Sequence, residues 1–228
     1  MSKSGARVAV VTGGAGVLCS AIAKGLAQQG ITVVLLDLAL DKAEAVAESI
    51  RSEGGAGLAL RASVLDRSDL EVAAEKILET YGRIDILING AGGNHPKATT
   101  SDEMPFFDLP EESVRFVFDL NFLGTLLPSQ VFGRVMAETG TGVILNIAST
   151  NAFRPLTRIP AYSAAKAAIT NFTQWLAVHM AQNVSKDIRV NAIAPGFFLT
   201  DQNRFLLITE SGDLTPRGSQ IIGHTPMG

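Results

Sequence analysis

Short apolar runs alternate with segments whose apolar residues recur every three or four positions, and the alternation continues through most of the chain. A continuous apolar run predicts a strand buried on both faces, and the wider spacing predicts an amphipathic helix. The predicted strands are Arg7–Val11, Thr32–Leu36, Gly57–Arg61, Ile84–Ile88, Val143–Ile147 and Ile188–Ile193. Val17–Gln29 predicts a helix with Leu18, Ile22 and Leu26 on one face. Asp41 with Glu44, and Ser68 with Glu71, have capping-box spacing, so helices are expected to start there and run through Ile50 and Tyr81. Glu111–Thr139 predicts one long helix bent near Pro128, and Ala161–Gln182 predicts another. The polar stretch Gly90–Pro110 predicts a long loop, and loops of that length tend to carry function. Beyond Pro195-Gly196 the pattern is irregular: Asp201–Thr209 reaches a short helix at most, and Ser211–Gly228 is rich in Gly, Thr and Pro.

Apolar strands joined by amphipathic helices imply an α/β fold, a Rossmann-like, doubly wound parallel sheet covered on both faces. The 228 residues suit a single domain, 1–228. Charged residues are only 18% of the chain against 46% hydrophobic, so some burial is expected against a partner subunit. A net charge of −3 without a basic run argues against nucleic acid and anionic membranes. The lone Cys19 excludes an internal disulfide and fits a reducing, cytoplasmic setting. The apolar run Val8–Val11 is too short for a secretion signal or a membrane span. No metal site is expected.

Three features point to chemistry. Gly13, Gly14 and Gly16 lie between the first strand and first helix, where glycine lets the backbone approach a pyrophosphate at a helix N-terminus. Asp37 ends the second strand, where a carboxylate accepts from the adenosine ribose and repels a 2′-phosphate. No Arg or Lys but Lys42 stands near it in sequence, so NAD is favoured over NADP. Tyr162 and Lys166 are one helical turn apart. An ammonium beside a phenol is expected to lower its pKa, giving a general acid/base for an alcohol or ketone. Ser149 follows the fifth strand, placed to polarise a carbonyl. Taken singly, each feature is also an ordinary turn, cap or surface pair.

Taken in order, the TGGAGVLC turn, the INGAGG segment (Asn89–Gly93), Asn121, Ser149, the YSAAK segment (Tyr162–Lys166) and the APGFFLT segment (Ala194–Thr200) resemble the short-chain dehydrogenase/reductase family from Arg7 onward. The resemblance implies an NAD-dependent enzyme. Tyr162 would be the acid/base, and Lys166 would tune it and hold the nicotinamide ribose. Ser149 would orient the substrate oxygen, and Asn121 would hold a water in a proton relay. Gly13, Gly14, Gly16, Val17 and Leu18 would surround the pyrophosphate. Asp37, Ser63, Val64, Asn89, Gly90 and Ala91 would surround the adenosine side, and Pro195, Gly196, Phe198 and Thr200 the nicotinamide. Val17 and Cys19 stand where the family turn has glycines, and Ser63 where it often has an adenine-binding Asp. Cys19 is read as a small packing residue.

Three segments are expected to shape the substrate site: 92–110, 150–160 and 197–228. Asn94 and His95 suit hydroxyl groups, Asn151 follows Ser149, and Arg154 and Arg158 suit a carboxylate. Either arginine could equally pair at a subunit interface, and His95 could be a solvated loop residue. GGNHPKATT, LTPRG and HTPMG resemble the branch of the family that oxidises D-mannonate, implying a small sugar acid as substrate; another sugar-acid or polyol dehydrogenase, or a non-catalytic NAD sensor, is the alternative. Family members continue into one more helix and a seventh strand. Here six strands in the order 3-2-1-4-5-6 are expected, with Ile188–Ile193 an open edge. The resemblance implies a homodimer or homotetramer. A dimer through the two long helices is expected, with a loosely held tail, a poorly held lid and reduced activity.

Overall fold

The computed structural model describes residues 5–155, 158–199 and 204–225. Six parallel strands form one sheet in the order β3-β2-β1-β4-β5-β6: β1 (Val8–Thr12), β2 (Thr32–Asp37), β3 (Gly57–Arg61), β4 (Ile86–Asn89), β5 (Gly142–Ile147) and β6 (Ile188–Ile193). The order reverses between β1 and β4, which opens a crevice at their C-terminal ends. On one face, α1 (Val17–Gln28) and α2 (Leu40–Ser52) bury Ala23, Ala27, Ala47 and Ile50 against Val11, Val33 and Leu35. On the other, α3 (Arg67–Tyr81), α5 (Gly124–Thr139) and α6 (Pro160–Asn183) bury Ile77, Phe132, Met136 and Leu176 against Val10, Val34 and Ile144. Strands covered on both faces have no polar side to show, which is why they read as continuous apolar runs. Among the described residues, β6 pairs only with β5. No described helix is long and apolar enough to cross a membrane.

Several local expectations are corrected. Glu111–Thr139 is interrupted, but not at Pro128. α4 (Glu111–Phe118) passes into a π-helical turn, Asp119–Leu123, before α5 continues with Pro128 inside it. Widened turns of this kind are frequent at functional sites, and Asn121 lies in the middle of this one. Neither capping box forms. α2 starts after Ala39 with no side-chain cap, while α3 is capped by Asp66, whose carboxylate accepts from the N–H groups of Ser68 (2.8 Å) and Asp69 (3.3 Å). A carboxylate one residue before the helix reaches those amides directly, so Ser68 falls inside the first turn.

The chain divides into two compact units, Met1–Pro195 and Gly196–Gly228. The second is more ordered than its composition predicts. It holds α7 (Arg204–Leu207), a bridge between Ile208 and Leu214, and α8 (Pro216–Gly223). Thr215 caps α8 through Gly218 N–H at 3.0 Å, with Pro216 in the first turn. A side chain at Gly218 would run into the Leu207 carbonyl, so glycine lets α8 pack against the end of α7.

Candidate active site

The crevice at the β1/β4 switch is built from backbone. Thr12 Oγ1 accepts the N–H groups of Gly90 (3.1 Å) and Ala91 (3.2 Å), clasping the segment after β4 to the end of β1. Gly13 has φ +64°, and a Cβ there would sit 2.9 Å from the Ala91 backbone, so only glycine fits. α1 begins after Gly16 without a side-chain cap, and the N–H groups of Val17, Leu18 and Cys19 have no acceptor among the described residues. Uncapped amides at a helix N-terminus, reached over a glycine turn, fit a pyrophosphate. Cys19 lies behind this turn with its Sγ where a side chain at Gly90 would have to go. Burial pushes its thiol up to about 11, which suits a packing residue.

Asp37 ends β2, its Oδ2 accepting from Ala15 N–H at 3.0 Å and its Oδ1 from Ala39 N–H at 2.9 Å. The carboxylate is thereby fixed at the edge of the glycine turn, with lone pairs left for ribose hydroxyls. One expectation needs correcting: Arg61 is the register partner of Asp37 on β3, and pairing of parallel strands brings it close although it is remote in sequence. The two form no ion pair among the described residues. Ser63 and Val64 follow β3. Ser63 N–H donates to Asp69, and Val64 is buried against Gly124. Asn89 departs from its expected setting. Its side chain turns into the core, donating to Ser129 and Asn146.

Ser149, Tyr162 and Lys166 come together where β5 meets α6. Ser149 Oγ accepts from Asn151 N–H at 3.2 Å. Lys166 is 4% exposed, its Nζ donates to Ile147 O at 2.7 Å, and it stands 5.5 Å from the centre of the Tyr162 ring. Tyr162 packs on a small cluster of Ala98, Val117 and Ala161, so the first substrate segment, α4 and α6 all hold the ring. The phenol pKa is the reverse of the expected one. Burial raises it, and the Ser149 side chain offsets part of the rise. Burial also lowers Lys166, to about 8. An ammonium taken out of water weakens as a cation, and this one is directed at a carbonyl, so burial wins at both groups. Asn121 is fully buried. Its Nδ2 donates to Gly93 O at 2.7 Å and to Val117 O at 2.8 Å, and its Oδ1 accepts from Gly93 N–H at 3.2 Å.

The first two segments expected to shape the substrate site, 92–110 and 150–160, are tied to each other by Thr100 N–H donating to Arg158 O at 2.8 Å. Asn94 Nδ2 donates to Thr99 Oγ1 at 2.7 Å. His95 Nδ1 accepts from Lys97 N–H at 3.2 Å, and the ring meets Phe116 edge-on, so this histidine is part of a built turn. In the neutral ring its Nε2 then carries the proton. Asn151 is buried, whereas Arg154 and Arg158 are exposed with no ion pair among the described residues. Pro195 O accepts from Thr150 N–H at 3.1 Å. Gly196 and Phe198 belong to the second unit, and Thr200 lies outside the described residues.

Sequence reasoning passed over Thr12, which read only as the first residue of the glycine turn, and Gly92, where a Cβ would sit 2.6 Å from Asn121 Oδ1 and 3.4 Å from Lys166 Nζ. The glycine-rich INGAGG run was the available signal for Gly92. Residues 7–210 match the short chain dehydrogenase family. An uncharacterized oxidoreductase, UxuB, of Bacillus subtilis strain 168 is 49% identical over 229 residues, covering 97% of this chain and 81% of that protein. A solved Haemophilus influenzae structure with bound NAD, provisionally assigned as a D-mannonate oxidoreductase, is 47% identical with a TM-score of 0.90, covering 97% of this chain and 82% of that one. An NAD-bound xylitol dehydrogenase superposes with a TM-score of 0.84 at 27% identity, over 97% of this chain and 85% of its own. The chain thus matches these oxidoreductases over most of its length, and it belongs to the short-chain dehydrogenase family.

Proposed function

We propose that the chain is an NAD-dependent oxidoreductase acting on the secondary alcohol or ketone of a sugar acid, with D-mannonate and D-fructuronate as the pair. The observation that carries the reading is the cluster of Ser149, Tyr162 and Lys166, followed along the same loop by two exposed guanidiniums, Arg154 and Arg158, free of ion pairs among the described residues. The Haemophilus relative's provisional assignment supports the choice of sugar acid. Asp37 supports NAD over NADP, because a second anion beside a carboxylate fixed by two amides is repelled.

When bound, the nicotinamide supplies or takes up the hydride. In the reducing direction Ser149 donates a hydrogen bond to the carbonyl oxygen, and Tyr162 delivers the proton that turns it into an alcohol. A phenol raised by burial holds its proton at neutral pH, which suits a donor. Lys166 stabilises the phenolate left behind, and Asn121 keeps the backbone at Gly93 in place beside it. Arg154 or Arg158 holds the carboxylate, and the Asn94–His95 turn meets the hydroxyls.

The test is NADH consumption with a panel of keto sugar acids and neutral ketoses, including D-fructuronate and 5-keto-D-gluconate. D-Fructuronate is expected to give the highest kcat/KM, and Arg154→Ala with Arg158→Ala to raise its KM roughly tenfold or more. Neutral ketoses turning over as well as the acids would reject the reading. We further propose a homodimer through α4, α5 and α6. The stacked rings of Phe172, Trp175 and His179 support it, since Trp175 and Val178 stay more than half exposed on this helix. Light scattering of Trp175→Glu, expected to be monomeric, is the check.

A further inference from the structure

A row of polar side chains crosses the otherwise apolar layer between the sheet and helices α5 and α6. Ser129 Oγ donates to Thr125 O at 2.7 Å and accepts from Asn89 Nδ2 at 2.9 Å. Asn89 Nδ2 also donates to Asn146 Oδ1 at 2.8 Å. Asn146 Nδ2 donates to Thr173 Oγ1 at 2.9 Å, and Thr173 Oγ1 donates to Ile169 O at 2.7 Å. The row therefore runs from α5 through β4 and β5 to α6, and Ser129, Asn89, Asn146 and Thr173 are all buried. Phe132, Met136, Ile144 and Leu176 surround it in the same core.

Apolar packing is non-directional and tolerates some sliding of a helix over a sheet. Hydrogen bonds demand distance and angle, and buried ones that fail are costly, so a buried polar row selects one register. Asn146 is the middle of the row and has both amide groups engaged. The next residue on β5, Ile147, gives its carbonyl to Lys166 Nζ, and Ser149 comes just beyond. On α6, Thr173 lies about two turns beyond Lys166 and about three beyond Tyr162. The two ends of the reacting cluster thus belong to the two elements that Asn146 joins.

We propose that Asn146 is a positioning residue that sets the register of α6 against β5, and through it the alignment of the Tyr162 phenol with Ser149 and of Lys166 with the Ile147 carbonyl. The inference rests on the reading of Tyr162, Ser149 and Lys166 as the reacting set. Asn146→Leu keeps the size of the side chain and removes both bonds. Across to β5, α6 then keeps only apolar contacts and the Lys166 bond to Ile147 O, and the Ser149 interaction that offsets the rise of the phenol is weakened.

The chain has two tyrosines, Tyr81 and Tyr162, so 3-fluorotyrosine incorporated into a Tyr81→Phe background labels position 162 alone. The ring fluorine reports ionisation of the hydroxyl by NMR without any substrate. Asn146→Leu is expected to move the titration midpoint up by about half a pH unit or more. It should lower kcat roughly tenfold or more while the NADH dissociation constant changes far less. Thr173→Val, which cuts only the α6 end, should move the midpoint the same way by less, and Thr173→Ser should restore it. Ile144→Val, a destabilising change in the same strand and core, should leave it in place. An unmoved midpoint in folded Asn146→Leu overturns the proposal, as does an equal shift in Ile144→Val. If Asn146→Leu does not fold, the Thr173 pair decides by the same criterion. Absence of turnover by the parent on every sugar acid would count against the substrate reading alone, because the fluorine titration still decides the positioning role.

Discussion

Replacing Gly90 by alanine isolates one contact that holds the cofactor crevice together. Gly90 does not have a positive φ, so alanine meets no backbone strain and the effect is steric. The new Cβ would overlap Cys19 Sγ and stand 2.9 Å from Thr12 O. One neighbour is fixed in the first turn of α1 and the other in β1, so neither moves freely. Overpacking of this kind costs roughly 1–3 kcal/mol, and loss of glycine freedom in the unfolded chain returns about 0.4–1. The net loss should be about 1–2 kcal/mol, or a few degrees in Tm for a chain of this size. Cys19→Gly should also destabilise, by leaving a gap and placing glycine in a helix. The two changes together should cost less than their sum, since removing the sulfur makes room for the methyl group, although the Thr12 carbonyl still crowds it. Urea unfolding of the parent, both single variants and the double variant measures this coupling. Additivity within about 0.5 kcal/mol would refute the idea that Cys19 fills the space glycine leaves at position 90. NADH titration of the same proteins should show the weakest binding in Gly90→Ala, because the displaced turn is the one proposed to meet the pyrophosphate.

Tyr162→Phe should keep NADH binding and lower kcat roughly a hundredfold or more, because it removes the proposed proton donor and leaves the ring in its Ala98–Val117–Ala161 cluster; steady-state rates and fluorescence titration check both halves. Asp37→Ala should narrow the preference for NAD over NADP, and Asp37→Ala with Arg61→Ala should weaken NADP again if Arg61 is the cation that then receives the 2′-phosphate; paired titrations with the two reduced dinucleotides decide. Lys166 is depressed from its usual 10.5 to about 8, so between those values the unfolded chain holds a proton that the folded chain has released. The contribution of Lys166 to stability must therefore rise with pH across that window, by at most about 1.4 kcal/mol per pH unit. Lys166→Met should lack this rise when unfolding free energies are compared from pH 7.5 to 9, and identical slopes in parent and variant would contradict the burial argument.

The hydrophobic pattern by itself determined most strands and helices of the first unit, because a strand covered on both faces is mostly apolar and a covering helix is striped. It also placed the glycine turn, Asp37, Ser149 and the Tyr162–Lys166 pair at the ends of the right elements. What it missed shares one cause. Arg61 faces Asp37, Cys19 fills the space above Gly90, Asn89 reaches Ser129 and Asn146, and Tyr162 is raised and not lowered, because each depends on residues far apart in the chain. A register between parallel strands, the depth of a side chain and the direction of an ammonium are properties of packing. The interruption at Asn121 and the capped helix Pro216–Gly223 were illegible for a more local reason. A widened helical turn keeps nearly the same apolar spacing as a regular one, and a short helix held by a threonine cap and a close glycine contact needs no apolar stripe to announce it.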